Sequence, residues 1–194
     1  SIIKRRMTMN QKLNRKINNL EKIKRPPADE LFQFISLHKE DTLLDLGAGA
    51  GYISLPISKY VDEVIALDFD EEMLKYLEMK AKEQSITNIK TLVSNFKDIQ
   101  LDDEKVDKAV ASISLHEVKP LSLALGEIYR VLKSKGVFLC IELEEAELST
   151  GPRVSSEKMK EEILRAGFDI VHAFYLQAKV ANQPVYIIVA QKND

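Results

Sequence analysis

The 194-residue chain has one cysteine and no tryptophan. A lone thiol supports neither a disulfide framework within the chain nor a multi-thiolate metal site. Cys140 stands in the apolar run 137–141, where a buried, space-filling thiol is expected. The three histidines, at 38, 116 and 172, are scattered, so no metal-ligand spacing is present and no metal is expected. No apolar stretch approaches the roughly 20 residues of a membrane-crossing helix. The cationic start is not followed by a hydrophobic run, so neither signal peptide nor anchor is expected and the cytoplasm is the predicted compartment. No aromatic residue precedes Phe32, which leaves the N-terminal stretch without the rings that stack single-stranded RNA bases.

What is present is an ordinary globular composition, 45% hydrophobic and 30% charged, sufficient for a single folded domain. The net charge of −2 hides an asymmetry: residues 1–25 carry nine Lys or Arg against only Glu21, and the remainder holds 19 basic and 29 acidic residues. Within this basic stretch Met9, Leu13, Ile17 and Leu20 fall at helical spacing, Thr8 can cap the start and Pro26-Pro27 ends the pattern. Residues 1–27 therefore read as an amphipathic arm attached to a domain over 28–194. It is either a lid packing its apolar stripe on the domain or an arm presenting its cations to nucleic acid.

The domain alternates strand and helix patterns. A helix over 28–37 leads to a strand at 42–46, a helix at 52–59, a strand at 63–67 and a helix at 71–84 with Met73, Leu74, Leu77 and Ala81 on one face. Strands at 89–94 and 107–111, a helix at 121–132, a strand at 137–143 and a helix at 156–166 continue the series. This alternation predicts an α/β fold with a parallel sheet covered on both faces. The last two strands, 168–175 and 185–191, have no room for a helix between them and should pair antiparallel.

Between the first strand and the next helix stand Gly47, Gly49 and Gly51. Such a turn admits positive φ and exposes backbone N–H groups to a polar ligand. A dinucleotide fingerprint would need glycine at position 52, which is Tyr, so a pyrophosphate is disfavoured. Asp68 closes the second strand, where a carboxylate can accept both hydroxyls of a ribose. A nucleoside without a diphosphate fits both features.

The segments 43–51, Asp68 and 128–136 (Ile-Tyr-Arg-Val-Leu-Lys-Ser-Lys-Gly) occur in an order that resembles the class I S-adenosylmethionine-dependent methyltransferases, and within them the type 11 group that includes ubiquinone and menaquinone biosynthesis enzymes. The resemblance implies a Rossmann-like, doubly wound, seven-stranded sheet of order 3-2-1-4-5-7-6 and S-adenosylmethionine as cofactor. By the same resemblance Asp45 orients the methionine amino end, Gly47, Ala48, Gly49 and Gly51 form the floor, Asp68 takes the ribose and Phe69 packs beside the adenine. Asn95-Phe96 stand where the family usually has Asp and a small residue facing the adenine amino group. Asn95 can accept there through its amide oxygen or can serve a turn, in which case Asp98 is the substitute. Ser112 opens the segment that in this family lies under the reactive methyl.

That segment holds His116, the candidate general base, since imidazole titrates near neutrality. The alternative is that His116-Glu117 begins a helix. Tyr52 and Glu142 are candidate acceptor-site walls, and Arg153 can clamp a carboxylate or phosphate of the acceptor or stay solvated. The Asn/Asp-Pro-Pro-aromatic motif of adenine-amine and glutamine methylation is absent, as are the extra cysteines of cytosine-C5 and arsenite enzymes. The predicted activity is methyl transfer to an oxygen, nitrogen or carbon of a small molecule. An RNA or protein methyltransferase using the basic arm, or a non-catalytic cofactor-binding protein, are the alternatives. The sequence leaves the oligomeric state open.

Overall fold

The computed structural model describes residues 11–19, 25–147, 149, 151–177, 179–180 and 183–194. Residues 11–19 are helical (α1). They are followed by α2 (Ala28–Phe32), β1 (Thr42–Leu46), α3 (Ser54–Ile57) running into a single 3-10 turn (Ser58–Tyr60), β2 (Glu63–Asp68), α4 (Glu71–Glu83) and β3 (Ile89–Val93). The second half comprises β4 (Val106–Ser112), α5 (Leu121–Val131), β5 (Leu132–Leu143), α6 (Ser156–Arg165), β6 (Asp169–Tyr175) and β7 (Val185–Gln191).

The seven strands form one sheet in the order β3-β2-β1-β4-β5-β7-β6. The first five are mutually parallel, and β7 runs antiparallel to both β5 and β6. Strands buried on both faces send alternate side chains to opposite layers. In β1, Leu44 and Leu46 join the layer that contains Ile128 of α5 and Met159 of α6. Leu43 joins the opposite layer with Leu31 of α2 and Ile57 of α3. Cys140 is fully buried in the first of these layers, as expected of a space-filling thiol.

Capping explains where the helices start. Asp70 accepts from the N–H groups of Glu72 and Met73 to begin α4, and Ser155 accepts from Lys158 N–H to begin α6. The face of α4 expected from its spacing, Met73, Leu74, Leu77 and Ala81, is the buried one.

Three boundaries differ from the expectation. Helix α2 stops at Phe32 instead of continuing to 37. Helix α3 begins only at Ser54, because Gly51 at φ +96° still belongs to the turn. Strand β5 starts at Leu132, directly after α5, and its first residues pair with β4 through a register irregularity between Val106 and Lys108. The Tyr-Arg-Val-Leu motif has a structural task here: Arg130 donates to the carbonyls of Ile99 and Leu101 at 2.8 Å each, fixing the loop that follows β3.

Candidate functional site

The parallel strands β1, β2 and β4 end on the same side of the sheet, and their C-terminal ends open onto a cleft of about 930 Å³. This is where open α/β sheets hold ligands. Its floor is the turn after β1. The N–H groups of Gly47 and Ala48 bond to the Leu67 carbonyl at 2.8 and 2.9 Å, tying the turn to the end of β2. Gly47 lies at φ +82°, and a Cβ there would sit 2.4 Å from Ser114 Cβ, so a side chain is excluded on both counts. Ser114 in turn donates to the Leu46 carbonyl at 2.7 Å and lines the cleft, a contact that the sequence reading missed.

Asp68 is 7% exposed and faces this floor. One carboxylate oxygen accepts from Gly49 N–H at 2.9 Å and the other from Asp70 N–H at 3.0 Å. Each oxygen keeps a second lone pair, so the carboxylate can still receive two hydroxyl protons, as many as a ribose diol offers. Phe69 follows it, 72% exposed, with its ring edge-to-face against Phe96 at 5.8 Å. Asp45 lies beneath the turn and does not line the cleft. Burial pushes its carboxyl up to about 7, with the Ser54 hydroxyl at 2.6 Å opposing and the neighbouring Asp68 charge adding to the rise.

Past the end of β4, Ile113 takes φ +54°, an unusual conformation for a β-branched residue. Its N–H bonds to the Ile141 carbonyl at 2.8 Å. The chain then turns so that half-buried His116 faces the cleft. Residues 115–119 form no helix and α5 begins only after Pro120, so the helix-start reading of His116-Glu117 is corrected.

Glu142, near the end of β5, is fully buried instead of forming an acceptor wall. It accepts from Leu115 N–H at 2.9 Å, from Leu143 N–H at 3.3 Å and from His116 Nδ1 at 3.1 Å. A carboxylate on Nδ1 holds the proton there and leaves Nε2 as the free base of the neutral ring. The hydrogen bond to Glu142 raises the His116 pKa, with partial burial opposing.

A family model described as a methyltransferase domain, of the type 11 group, matches residues 44–140. The chain belongs to this methyltransferase family. It is 31% identical over 103 residues to the uncharacterized methyltransferase YcgJ of Bacillus subtilis, covering 53% of this chain and 41% of that protein. It is likewise 31% identical over 110 residues to the ubiquinone/menaquinone biosynthesis C-methyltransferase UbiE of Rickettsia prowazekii, covering 53% and 44%. The match therefore spans less than half the length of these curated relatives. Among solved structures, YcgJ superposes with a TM-score of 0.75 at 17% identity, covering 87% of this chain and 98% of that one. A SAM-dependent methyltransferase from Aquifex aeolicus superposes at 0.73 with 24% identity, covering 84% and 88%. The strand order is the one implied by the resemblance, and S-adenosylmethionine is the family's cofactor.

In this methyltransferase Gly47, Ala48, Gly49, Gly51, Asp68, Phe69, Phe96, Ser112, Tyr52 and His116 converge on the main cleft. Asn95 does not. It is exposed, lines an adjoining groove that shares Phe69 and Phe96 with the cleft, and its side-chain oxygen accepts from Lys97 N–H at 2.9 Å, closing its own turn. Asp98 lines that groove too. Arg153 lies outside the cleft, its guanidinium donating to Gln183 Oε1 at 3.0 and 2.7 Å and to the Pro152 carbonyl at 2.8 Å. Tyr52 is a wall residue whose hydroxyl donates to the Pro26 carbonyl.

The N-terminal segment also reaches the site. Lys16 and Asn19 of α1 line the cleft, and Lys16 Nζ pairs with Asp70 at 2.5 Å. Ile17 is buried and Leu13 half-buried. Thr8, Met9, Leu20 and Lys22 of the expected arm lie outside the described residues.

Proposed function

We propose that this methyltransferase modifies a small organic acceptor whose oxygen, nitrogen or carbon is freed of its proton by His116. The observation that carries the reading is the His116–Glu142 pair at the end of the sheet: a cleft-facing imidazole whose Nδ1 is held by a fully buried carboxylate. S-adenosylmethionine, when bound, supplies a sulfonium methyl group, already a strong electrophile. The protein's tasks are therefore alignment and deprotonation in a dry site. The glycine turn provides the floor, Asp68 the receptor for the ribose hydroxyls, and Phe69 a face for the adenine. Ile113, Tyr52 and Leu55 give the neighbouring wall an apolar surface that limits water around the acceptor. His116 Nε2 then receives the acceptor's proton, and the Glu142 carboxylate stabilises the imidazolium that forms. The relatives named for quinone C-methylation make electron-rich hydroxylated aromatics the first acceptors to try.

The test is release of S-adenosylhomocysteine across a panel of phenols and reduced quinones, with the wild type and His116→Ala compared on whichever acceptor turns over. Turnover should fall roughly 10²-fold in the variant, in line with loss of a general base, while calorimetric affinity for S-adenosylhomocysteine stays within about twofold. An undiminished rate would remove His116 from the chemistry.

A further inference from the structure

One cation at the cleft is unexplained by the turn, by Asp68 or by the His116–Glu142 pair. Arg25 lines the cleft beside the glycine turn, its guanidinium carbon 5.1 Å from the centroid of the Tyr52 ring. Its Nε is buried and has no hydrogen-bond partner. The stacking on Tyr52, together with the Tyr52 hydroxyl bond to the next residue's carbonyl, holds the side chain at the cleft. Two carboxylates, Asp45 and Glu142, are close enough to favour its charge against the desolvation that lowers its pKa. Neither forms an ion pair with it: Asp45 is engaged by Ser54, and Glu142 by Leu115, Leu143 and His116. A buried guanidinium N–H without an acceptor is a group waiting for an anion.

We infer that Arg25 receives the carboxylate of the amino-acid end of S-adenosylmethionine. The placement follows from geometry. Arg25 stacks on Tyr52 at the end of the glycine turn and shares a small adjoining pocket with Ser112 and Ile113 at the end of β4, whereas Phe69 follows β2 at the nucleoside end. The cofactor's ammonium and carboxylate share one carbon, so the anion must lie within a few ångströms of the amine. Arg25 sits on the N-terminal segment and not on the sheet. The carboxylate thus fastens that segment at one end of the ligand, while the Lys16–Asp70 pair holds α1 beside Asp68 at the other. The inference rests on the family's cofactor and is independent of the acceptor and of His116.

The test uses S-adenosylhomocysteine and its decarboxylated analogue S-adenosyl-3-thiopropylamine, which keeps the ammonium, titrated calorimetrically into the wild type and into Arg25→Gln. The wild type should prefer the carboxylate ligand by roughly tenfold or more, the scale of one charge-assisted, bidentate contact. Arg25→Gln should lose that preference and bind the analogue as the wild type does. A variant that keeps the full preference, or a wild type that binds both ligands equally, overturns the inference. The wild-type comparison decides alone if the variant melts early. A wild type that binds neither ligand would instead refute the cofactor assignment.

Discussion

Asp45 and Glu142 are both buried carboxylates near strand ends, yet their partners give them different tasks. Glu142 receives three N–H donors, whereas Asp45 receives only the Ser54 hydroxyl and is pushed up to about 7 by burial. An acid whose folded pKa is raised contributes stability that is complete below its unfolded value near 4 and is lost as pH rises through about 7. Asp45→Asn keeps the acceptor for Ser54 and removes the buried charge. It should therefore be more stable than the wild type at pH 8, by on the order of 1–3 kcal/mol, with the gap narrowing as the pH falls and closing only near pH 4. Urea melts at the two pH values check this. If Asp45 also orients the cofactor's amine, the same variant binds S-adenosylhomocysteine more weakly; equal affinity would leave Asp45 a purely structural residue. Glu142→Gln should move the acidic limb of the pH–rate profile to lower pH, because the hydrogen-bonded carboxylate is the main cause of the raised His116 pKa. A limb that does not move would dissociate the pair. Asp68 was legible as a strand-terminal carboxylate. The Glu142–His116 pairing was not, since the two residues are distant in the chain and meet only because β4 and β5 lie side by side with Ser112 opposite Ile141.

Among the elements, the strands and the buried face of α4 followed from periodicity because each repeats a local pattern. The limits of α3 and β5 did not, because the positive φ of one glycine sets the first and long-range strand pairing the second. The turn extends into α3 as a consequence of Gly51, where a Cβ would meet Leu55 at 2.8 Å, and β5 is drawn back to Leu132 by pairing with Val106. Asn95 likewise went to its own turn, a competition between side chain and ligand that spacing does not decide. The N-terminal helix was legible as amphipathic, though its stripe alone could not say what it covers. With Lys16 on the α4 cap and Asn19 in the cleft, the lid reading gains support. Replacing Leu13 and Ile17 together by Asn should loosen S-adenosylhomocysteine severalfold and raise the acceptor KM, with little dependence on salt, since the change removes apolar burial and leaves the Lys16–Asp70 pair in place. Unchanged affinity and KM would detach α1 from the site.

At the scale of the molecule, the uneven charge poses the remaining alternative: a basic arm on an acidic body suits an RNA-docking enzyme as well as a lid. The structure distributes the described cations of the arm in two directions. Lys16 is paired to Asp70 and Arg25 is turned to the cleft, whereas Lys12 and Arg15 are exposed. Among the described residues of the arm, Lys12 and Arg15 are thus the exposed cations, and each phosphate contact on a single strand contributes about −0.7 to the slope of log affinity against log salt. If the arm is a lid, poly(U) shows no micromolar binding at physiological salt. S-adenosylhomocysteine at a hundred times its Kd should stabilise the fold by about 2.7 kcal/mol through mass action. In a protein of this size that is a rise of about 5–10 °C in Tm. Thermal melts with each ligand, and a salt series for poly(U), separate the cases. Micromolar RNA binding that vanishes when Lys12 and Arg15 are changed to Gln, together with no turnover of any small acceptor, would assign the arm to nucleic acid and end the small-molecule reading.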